Sequence, residues 1–92
     1  MSSAAALIRA SGVVQGVGYR YFAIRKARAL GVAGWVRNND DGSVSLMAEG
    51  ERGTIEALVK ELTIGPAASN VTDVRVQWQE FTGQFDGFDV SW

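Results

Sequence analysis

The sequence contains no cysteine and no histidine, and only one proline among its 92 residues. Without cysteine and histidine the chain can form neither disulfides nor thiolate or imidazole metal sites, so side-chain packing must hold the fold together. The same absences exclude a cysteine nucleophile and a serine-histidine catalytic pair. Any catalysis must therefore use arginine, lysine, carboxylates, amides, hydroxyl groups or the backbone.

Long hydrophobic runs are also lacking. The short apolar run over residues 4–8 is too brief for the core of a signal peptide or for a membrane span. The chain length and the 47% content of hydrophobic residues fit one small globular domain. We expect a cytoplasmic monomer with no membrane partner.

Acidic residues are absent from the first part of the chain. Residues 1–39 carry six basic and no acidic side chains, whereas residues 40–92 carry three basic and ten acidic ones. The six are Arg9, Arg20, Arg25, Lys26, Arg28 and Arg37. This division predicts that the first part attracts an anion. The pI of about 5.2 and the sparse spacing of the basic residues disfavour nucleic acid and lipid surfaces as partners.

Hydrophobic periodicity predicts five strands and two helices. The strands run over 7–14, 34–38, 43–49, 71–80 and 85–90, and the helices over 21–30 and 51–62. Gly31 is typical of a helix end, and Asp41-Gly42 is typical of a hairpin turn. This order predicts an α+β fold, a ferredoxin-like βαββαβ sandwich with two helices on one face of an antiparallel sheet, plus a short C-terminal strand.

Three of these predicted elements each have one apolar face. The first strand places Ile8, Ala10, Gly12 and Val14 on one side, the first helix Ala23, Ile24, Ala27 and Leu30, and the second helix Ile55, Leu58, Val59 and Leu62. On the first helix, Arg25, Lys26 and Arg28 fall outside the apolar face. We expect these three side chains to form a solvated face that raises the local potential for an anionic substrate.

The segment richest in chemistry is the loop over residues 12–20, between the first strand and the first helix. A loop that enters a helix presents unpaired backbone N–H groups and the positive end of the helix dipole, and glycines let these amides converge on an anion. Arg20 at the end of the loop adds a planar, permanently charged set of donors that can bind two oxygens at once. The combination suits a phosphoryl group.

The same residues also fit a purely structural role, in which Gly16 and Gly18 form a tight connection and Arg20 is a solvated residue of the first turn. A cation in that turn is unfavourable by about 0.3 to 1 kcal/mol unless an anion binds there too, which argues for the site. The loop is not a P-loop, because no Lys-Ser or Lys-Thr pair follows its glycines. Spacing alone leaves both interpretations open.

Two separated motifs resemble the acylphosphatase family. The first is Val14-Gln15-Gly16-Val17-Gly18-Tyr19-Arg20, and the second, Gly34-Trp35-Val36-Arg37-Asn38, follows in order. The similarity runs from about residue 7 to residue 90 and includes Gly65-Pro66 and Phe85-Asp86-Gly87-Phe88. It implies a single domain over 7–92, preceded by a short extension over 1–6.

The resemblance implies hydrolysis of the carboxyl-phosphate bond of acyl phosphates, releasing a carboxylate and inorganic phosphate, with no metal and no cofactor. It implies that the backbone of Gln15, Gly16, Val17, Gly18, Tyr19 and Arg20 binds the phosphate. The Arg20 side chain would grip the phosphate, and Asn38 would orient the attacking water. Val13 stands where a basic residue is common in the family, and Tyr19 where phenylalanine is commoner.

Other residues allow other functions. Asp40 and Asp41 could share a cation, but turn chemistry explains them more simply. Trp35, Trp78 and Trp92 could stack on bases, but the first two fit positions in a strand core and no RNA-recognition motif is present. Three alternatives to the enzyme are a phosphate-binding module without activity, an RNA-binding domain, and a carbamoyl-phosphate-handling domain of a larger enzyme.

Overall fold

The computed structural model describes residues 2–92. Its elements, in chain order, are β1 (Ser3–Val13), α1 (Tyr19–Leu30), β2 (Ala33–Asn38), β3 (Val44–Glu51), α2 (Arg52–Ile64), β4 (Asn70–Gln79) and β5 (Phe88–Val90). The predicted order of strands and helices is therefore confirmed.

The five strands form one sheet in the order β4-β1-β3-β2-β5, with the helices on one face. The pairs that join β1 to β3, β1 to β4 and β2 to β3 are antiparallel, as the ferredoxin-like prediction requires. The short C-terminal strand β5 instead pairs parallel to β2, so the sheet is mixed. Because β5 runs parallel to β2, the two strands end at the same edge of the sheet.

The core lies between the sheet and the two helices. Its fully buried members on the helices are Tyr19, Ala23, Ala27, Ile55, Leu58 and Leu62, and those on the strands include Ile8, Val36, Leu46 and Phe88. Ile24, Leu30 and Val59 are partly buried against them. The apolar faces predicted for both helices are thus confirmed.

Several boundaries differ from the prediction. The first strand begins at Ser3 rather than at Leu7, because Ser3 to Ala6 pair with Glu51 to Ala48 of β3. Residues 3–6, predicted as an extension, therefore belong to the sheet. The helix α1 begins two residues earlier than predicted and α2 ends two residues later, whereas β5 begins only at Phe88.

Two predicted core positions were wrong. The register of β1 against β4 shifts between Ser11 and Gly12, so the alternation breaks and Gly12 lies exposed rather than in the core. Trp35 alternates with the buried Gly34 and Val36, which places its half-buried ring on the sheet face opposite the helices.

Ion pairs in the fold neutralise half of the basic residues that the sequence concentrates in residues 1–39. Three basic residues of the first part pair with carboxylates of the second part: Arg9 with Asp41, Lys26 with Glu61, and Arg28 with Asp89. The solvated basic face predicted for α1 is therefore only partly present, because Lys26 and Arg28 bind neighbouring elements. The other three basic residues of the first part, Arg20, Arg25 and Arg37, lie over aromatic rings.

No helix formed by residues 2–92 is long and apolar enough to cross a membrane.

Candidate functional site

The N-terminus of α1 supplies free backbone donors. Gly18 caps the helix in the left-handed conformation, with φ 79°, which a glycine adopts without strain. The first bond of the helix runs from Phe22 N–H to Gly18 O, so the three preceding N–H groups have no partner within the helix. No side chain of the described residues caps them. This end of α1 is therefore able to bind an anion.

A cavity of about 190 Å³ opens at this helix end. It is lined by Val14, Gly16, Gly18, Tyr19, Arg20, Tyr21 and Asn38. The fold thus brings together the glycine loop, Arg20 and Asn38, which the sequence separates by up to 22 residues. A volume of this order accommodates a small polar group rather than a large ligand.

Asn38 enters the cavity from the end of β2. It is paired with Val44 of β3 and shares the helix-facing side of the strand with Val36. Its side-chain Oδ1 is buried and has no hydrogen-bond partner in the part of the chain that the structure describes. A buried polar oxygen without a partner is rare and costly, which indicates that a ligand or water completes it.

Among residues 2–92, Arg20 is the only charged side chain that lines the cavity. It is half-buried in the first turn of α1 and forms no ion pair with any carboxylate of residues 2–92. Its Cζ atom lies 5.1 Å from the centroid of the Trp92 ring. The guanidinium N–H groups therefore remain available to an anion in the cavity.

Gln15 and Val17 were predicted to bind phosphate but do not line the cavity. Gln15 Nε2 donates to the backbone oxygens of Asn39 and Ser43, at 2.8 and 2.9 Å, and so ties the loop to the hairpin turn beyond Asn38. The side chain of Val17 packs against the core. These two residues hold the loop in place with their side chains.

Tyr19 directs its side chain away from the cavity and into the core. The ring is 1% exposed, and its hydroxyl group donates to Leu62 O at 2.7 Å. Burial raises the pKa of the Tyr19 phenol. Only the backbone of Tyr19 is therefore available for an anion in the cavity, and its role in phosphate binding stays a prediction.

Asp41 of the hairpin turn is held by hydrogen bonds within the turn and by Arg9. Asp41 Oδ1 accepts hydrogen bonds from Ser43 Oγ and Ser43 N, and its other oxygen binds Arg9. The Ser43 hydrogen bonds, with the nearby Arg9 charge, hold the pKa of Asp41 below its usual range. In residues 2–92 no three metal-ligating side chains lie together. Turn chemistry thus accounts for Asp41.

Val14 and Tyr21 line the cavity although no role at the site was predicted for them. Glu49 likewise had no predicted role. Glu49 is 3% exposed, and its carboxylate accepts hydrogen bonds from Thr82 N, Thr82 Oγ1 and Gly83 N at 2.8 to 2.9 Å. It thereby anchors the connection from β4 to β5. None of the motifs in the sequence pointed to this role.

A larger open groove, of about 610 Å³, lies between α2 and β4. It is lined by Gly53, Glu56, Ala57, Val59, Lys60, Val76 and Trp78. None of the predicted site residues lies in it, and no buried polar atom without a partner points into it among the described residues. The smaller cavity at α1 is therefore the better candidate in spite of its size.

Comparison with known proteins agrees with the predicted resemblance. The family model described as Acylphosphatase matches residues 6–90. The acylphosphatase of Pelotomaculum thermopropionicum is 46% identical over 91 residues, which cover 99% of each chain. The acylphosphatase of Anaeromyxobacter sp. is 51% identical over 87 residues, covering 95% of this chain and 94% of the relative.

The fold has close structural neighbours as well. The crystal structure of acylphosphatase from Bacillus subtilis superimposes with a TM-score of 0.93 at 35% identity, covering 97% of this chain and 99% of that one. The predicted resemblance and fold class are thus confirmed.

Proposed function

Because this chain belongs to the acylphosphatase family, we propose that it hydrolyses acyl phosphates at the cavity of α1. The reaction breaks the bond between the carboxyl oxygen and phosphorus and releases a carboxylate and inorganic phosphate. The unpartnered Asn38 Oδ1, buried in the cavity that also contains Arg20 and the helix N-terminus, is the observation that carries the proposal.

The phosphoryl group binds at the N-terminus of α1. Its oxygens accept hydrogen bonds from the backbone N–H groups of Gly16, Gly18, Tyr19 and Arg20, which line the cavity, and the Arg20 guanidinium binds them from the side. Three features support this assignment: the free amides of the first turn, the position of Arg20 in the lining, and the absence of an ion pair between Arg20 and any carboxylate of residues 2–92.

Asn38 holds the attacking water. Its Oδ1 accepts one hydrogen bond from that water, which satisfies the oxygen and aims the water's lone pair at phosphorus. The new bond forms between the water oxygen and phosphorus as the bond to the carboxylate breaks. The water proton passes to a phosphate oxygen of the substrate, so no side chain is needed as a base.

The residue types present are sufficient for this reaction. A carboxylate is a good leaving group, so the enzyme has mainly to position the water and to stabilise the charge on the equatorial phosphate oxygens. Amides and one arginine, fixed in advance, supply that stabilisation. The proposal therefore requires no metal and no covalent intermediate.

The test is release of phosphate from benzoyl phosphate in excess EDTA. Three proteins are compared: the unmodified chain, Asn38→Ala, and the matched neighbour variant Asn39→Ala. Asn39 Nδ2 donates to Ser43 Oγ in the turn and to Ser45 Oγ on β3, and Asn39 does not line the cavity. We expect turnover in EDTA, a loss of about a hundredfold in kcat for Asn38→Ala, and a loss below about tenfold for Asn39→Ala.

Unchanged turnover of Asn38→Ala would contradict the role of Asn38. If the unmodified chain bound phosphate but left benzoyl phosphate intact, it would be a phosphate-binding module without this activity. Turnover abolished by EDTA and restored by a divalent cation would contradict the metal-independent mechanism.

A further inference from the structure

The indole of Trp92 lies beside the arginine of the site. The ring centroid is 5.1 Å from Arg20 Cζ, within the range of a cation–π contact. The Trp92 side chain is otherwise 93% exposed, so burial in the core does not hold it there. The function proposed above assigns no role to this residue.

The fold brings Trp92 to the site from the far end of the chain. The strand β5 runs parallel to β2, and Ser91 N–H donates to Val36 O at 2.7 Å, which fixes the residue before Trp92 close to Asn38. At its other end, β5 is held by Arg28 Nε, which donates to Phe88 O at 3.0 Å. Hydrogen bonds of the sheet therefore hold the backbone up to Ser91, the residue before Trp92.

Like Arg52 over Trp78, this contact joins residues far apart in the sequence, whereas the other two arginine–ring contacts of the described residues join near neighbours. Arg25 over Tyr21 and Arg37 over Trp35 are neighbours in sequence, four and two residues apart, so helix and strand geometry alone brings them together. Arg20 and Trp92 are 72 residues apart and meet only in the folded chain.

An arginine that must bind phosphate benefits from being held. A free arginine side chain loses rotamer entropy when it is fixed, and Arg20 has no carboxylate among residues 2–92 to orient it. A ring stacked on one face of the guanidinium restricts its plane and leaves the N–H groups on its edge free for oxygen atoms.

We propose that Trp92 is a positioning residue: its indole stacks on the Arg20 guanidinium and orients it toward the phosphate. The inference rests on the proposed phosphate site. Phosphate binding is therefore measured separately from hydrolysis, so that the two proposals can fail independently.

The experiment is calorimetric titration of inorganic phosphate into Trp92 variants of the full chain. We expect Trp92→Ala and Trp92→Leu to raise the Kd by about two- to fivefold, the range of an exposed cation–π contact, and Trp92→Phe to retain most of the affinity. The matched control is Ile64→Ala, which removes another exposed apolar side chain and leaves the Kd unchanged. In an Arg20→Gln background, Trp92→Ala should have no further effect.

Equal affinity of Trp92→Ala and the unmodified chain would overturn the proposal. So would equal losses for Trp92→Leu and Trp92→Phe, or an undiminished effect of Trp92→Ala in the Arg20→Gln background. If the unmodified chain binds phosphate without hydrolysing benzoyl phosphate, the proposed function fails while the positioning role is still decided by these Kd values. If the unmodified chain binds no phosphate, both proposals fail.

Discussion

The two helices begin with similar residues but have different surroundings. The helix α1 has Gly18 as its cap and Arg20 in its first turn, and α2 has Arg52 and Gly53 in its first turn. Neither helix has a side-chain cap or an acidic residue in its first turn in the described structure. The caps differ, however, because α2 is capped by the acidic residue Glu51 and α1 by a glycine.

The contacts at the starts of the two helices also differ. At α2, Arg52 N–H donates to Ser2 O, and the Arg52 side chain lies 3.8 Å from Glu56 and over the Trp78 ring. At α1, the first amides lack a helical partner, and the cavity contains an unpartnered Asn38 Oδ1. An arginine in the first turn is therefore a weak signal by itself, because a carboxylate one turn later can compensate it.

The largest expected contrast is between the two arginines. Arg20→Ala should lower kcat/KM for benzoyl phosphate by about a thousandfold or more, because it removes the positive charge that stabilises the transferring phosphoryl group. Arg52→Ala should leave kcat/KM within about twofold of the value for the unmodified chain. Arg52 lies outside the cavity, and loss of its exposed ion pair costs little stability. Equal losses in the two variants would mean that α1 is not the site.

A second contrast concerns the glycines. Gly18→Ala should lower the free energy of unfolding by about 1 to 2 kcal/mol, because φ is 79° there and a side chain is strained in that conformation. Gly53→Ala should raise it by about 0.5 to 1 kcal/mol, because the space is open and alanine favours the helix. Urea denaturation measures both, and changes of the same sign would contradict the difference in cap geometry.

A smaller effect is expected at the side chain that ties the α1 loop to the hairpin. Gln15→Ala removes two hydrogen bonds to the backbone of Asn39 and Ser43. Their combined contribution, about 1 to 2 kcal/mol, predicts a loss of about fivefold to thirtyfold in kcat/KM as the loop moves relative to Asn38. Gln79→Ala, on the exposed side of β4, is the control. A loss as large as that of Arg20→Ala would indicate that Gln15 binds the substrate directly.

Local patterns in the sequence predicted most of the fold. The second helix was found from the spacing of Ile55, Leu58 and Leu62, all fully buried. The hairpin followed from Asp41-Gly42, and Gly42 indeed has φ 94°. Gly31 ends α1 in the left-handed conformation, as predicted. Each of these features depends on residues close together in the chain.

Features that depend on contacts between residues far apart in the sequence could not be predicted from local patterns. Residues 3–6 are alanine-rich with no strand signal of their own and become a strand only by pairing with β3. The parallel direction of β5 and the burial of Glu49 depend on contacts across the sheet. Arg20 and Asn38 were found through a motif, whereas Tyr21 in the cavity lining and the contact of Trp92 with Arg20 emerged only from the fold.

The most direct test of the central claim is a titration of the ¹⁵N-labelled chain with inorganic phosphate, followed through its backbone amide resonances. We expect the largest shifts at Gly16, Gly18 and Arg20, a shift of the Asn38 side-chain amide, and no shift at Arg52 or Gly53. Shifts centred on the start of α2, or no saturable shift at the start of α1, would contradict the assignment of α1 as the phosphate site.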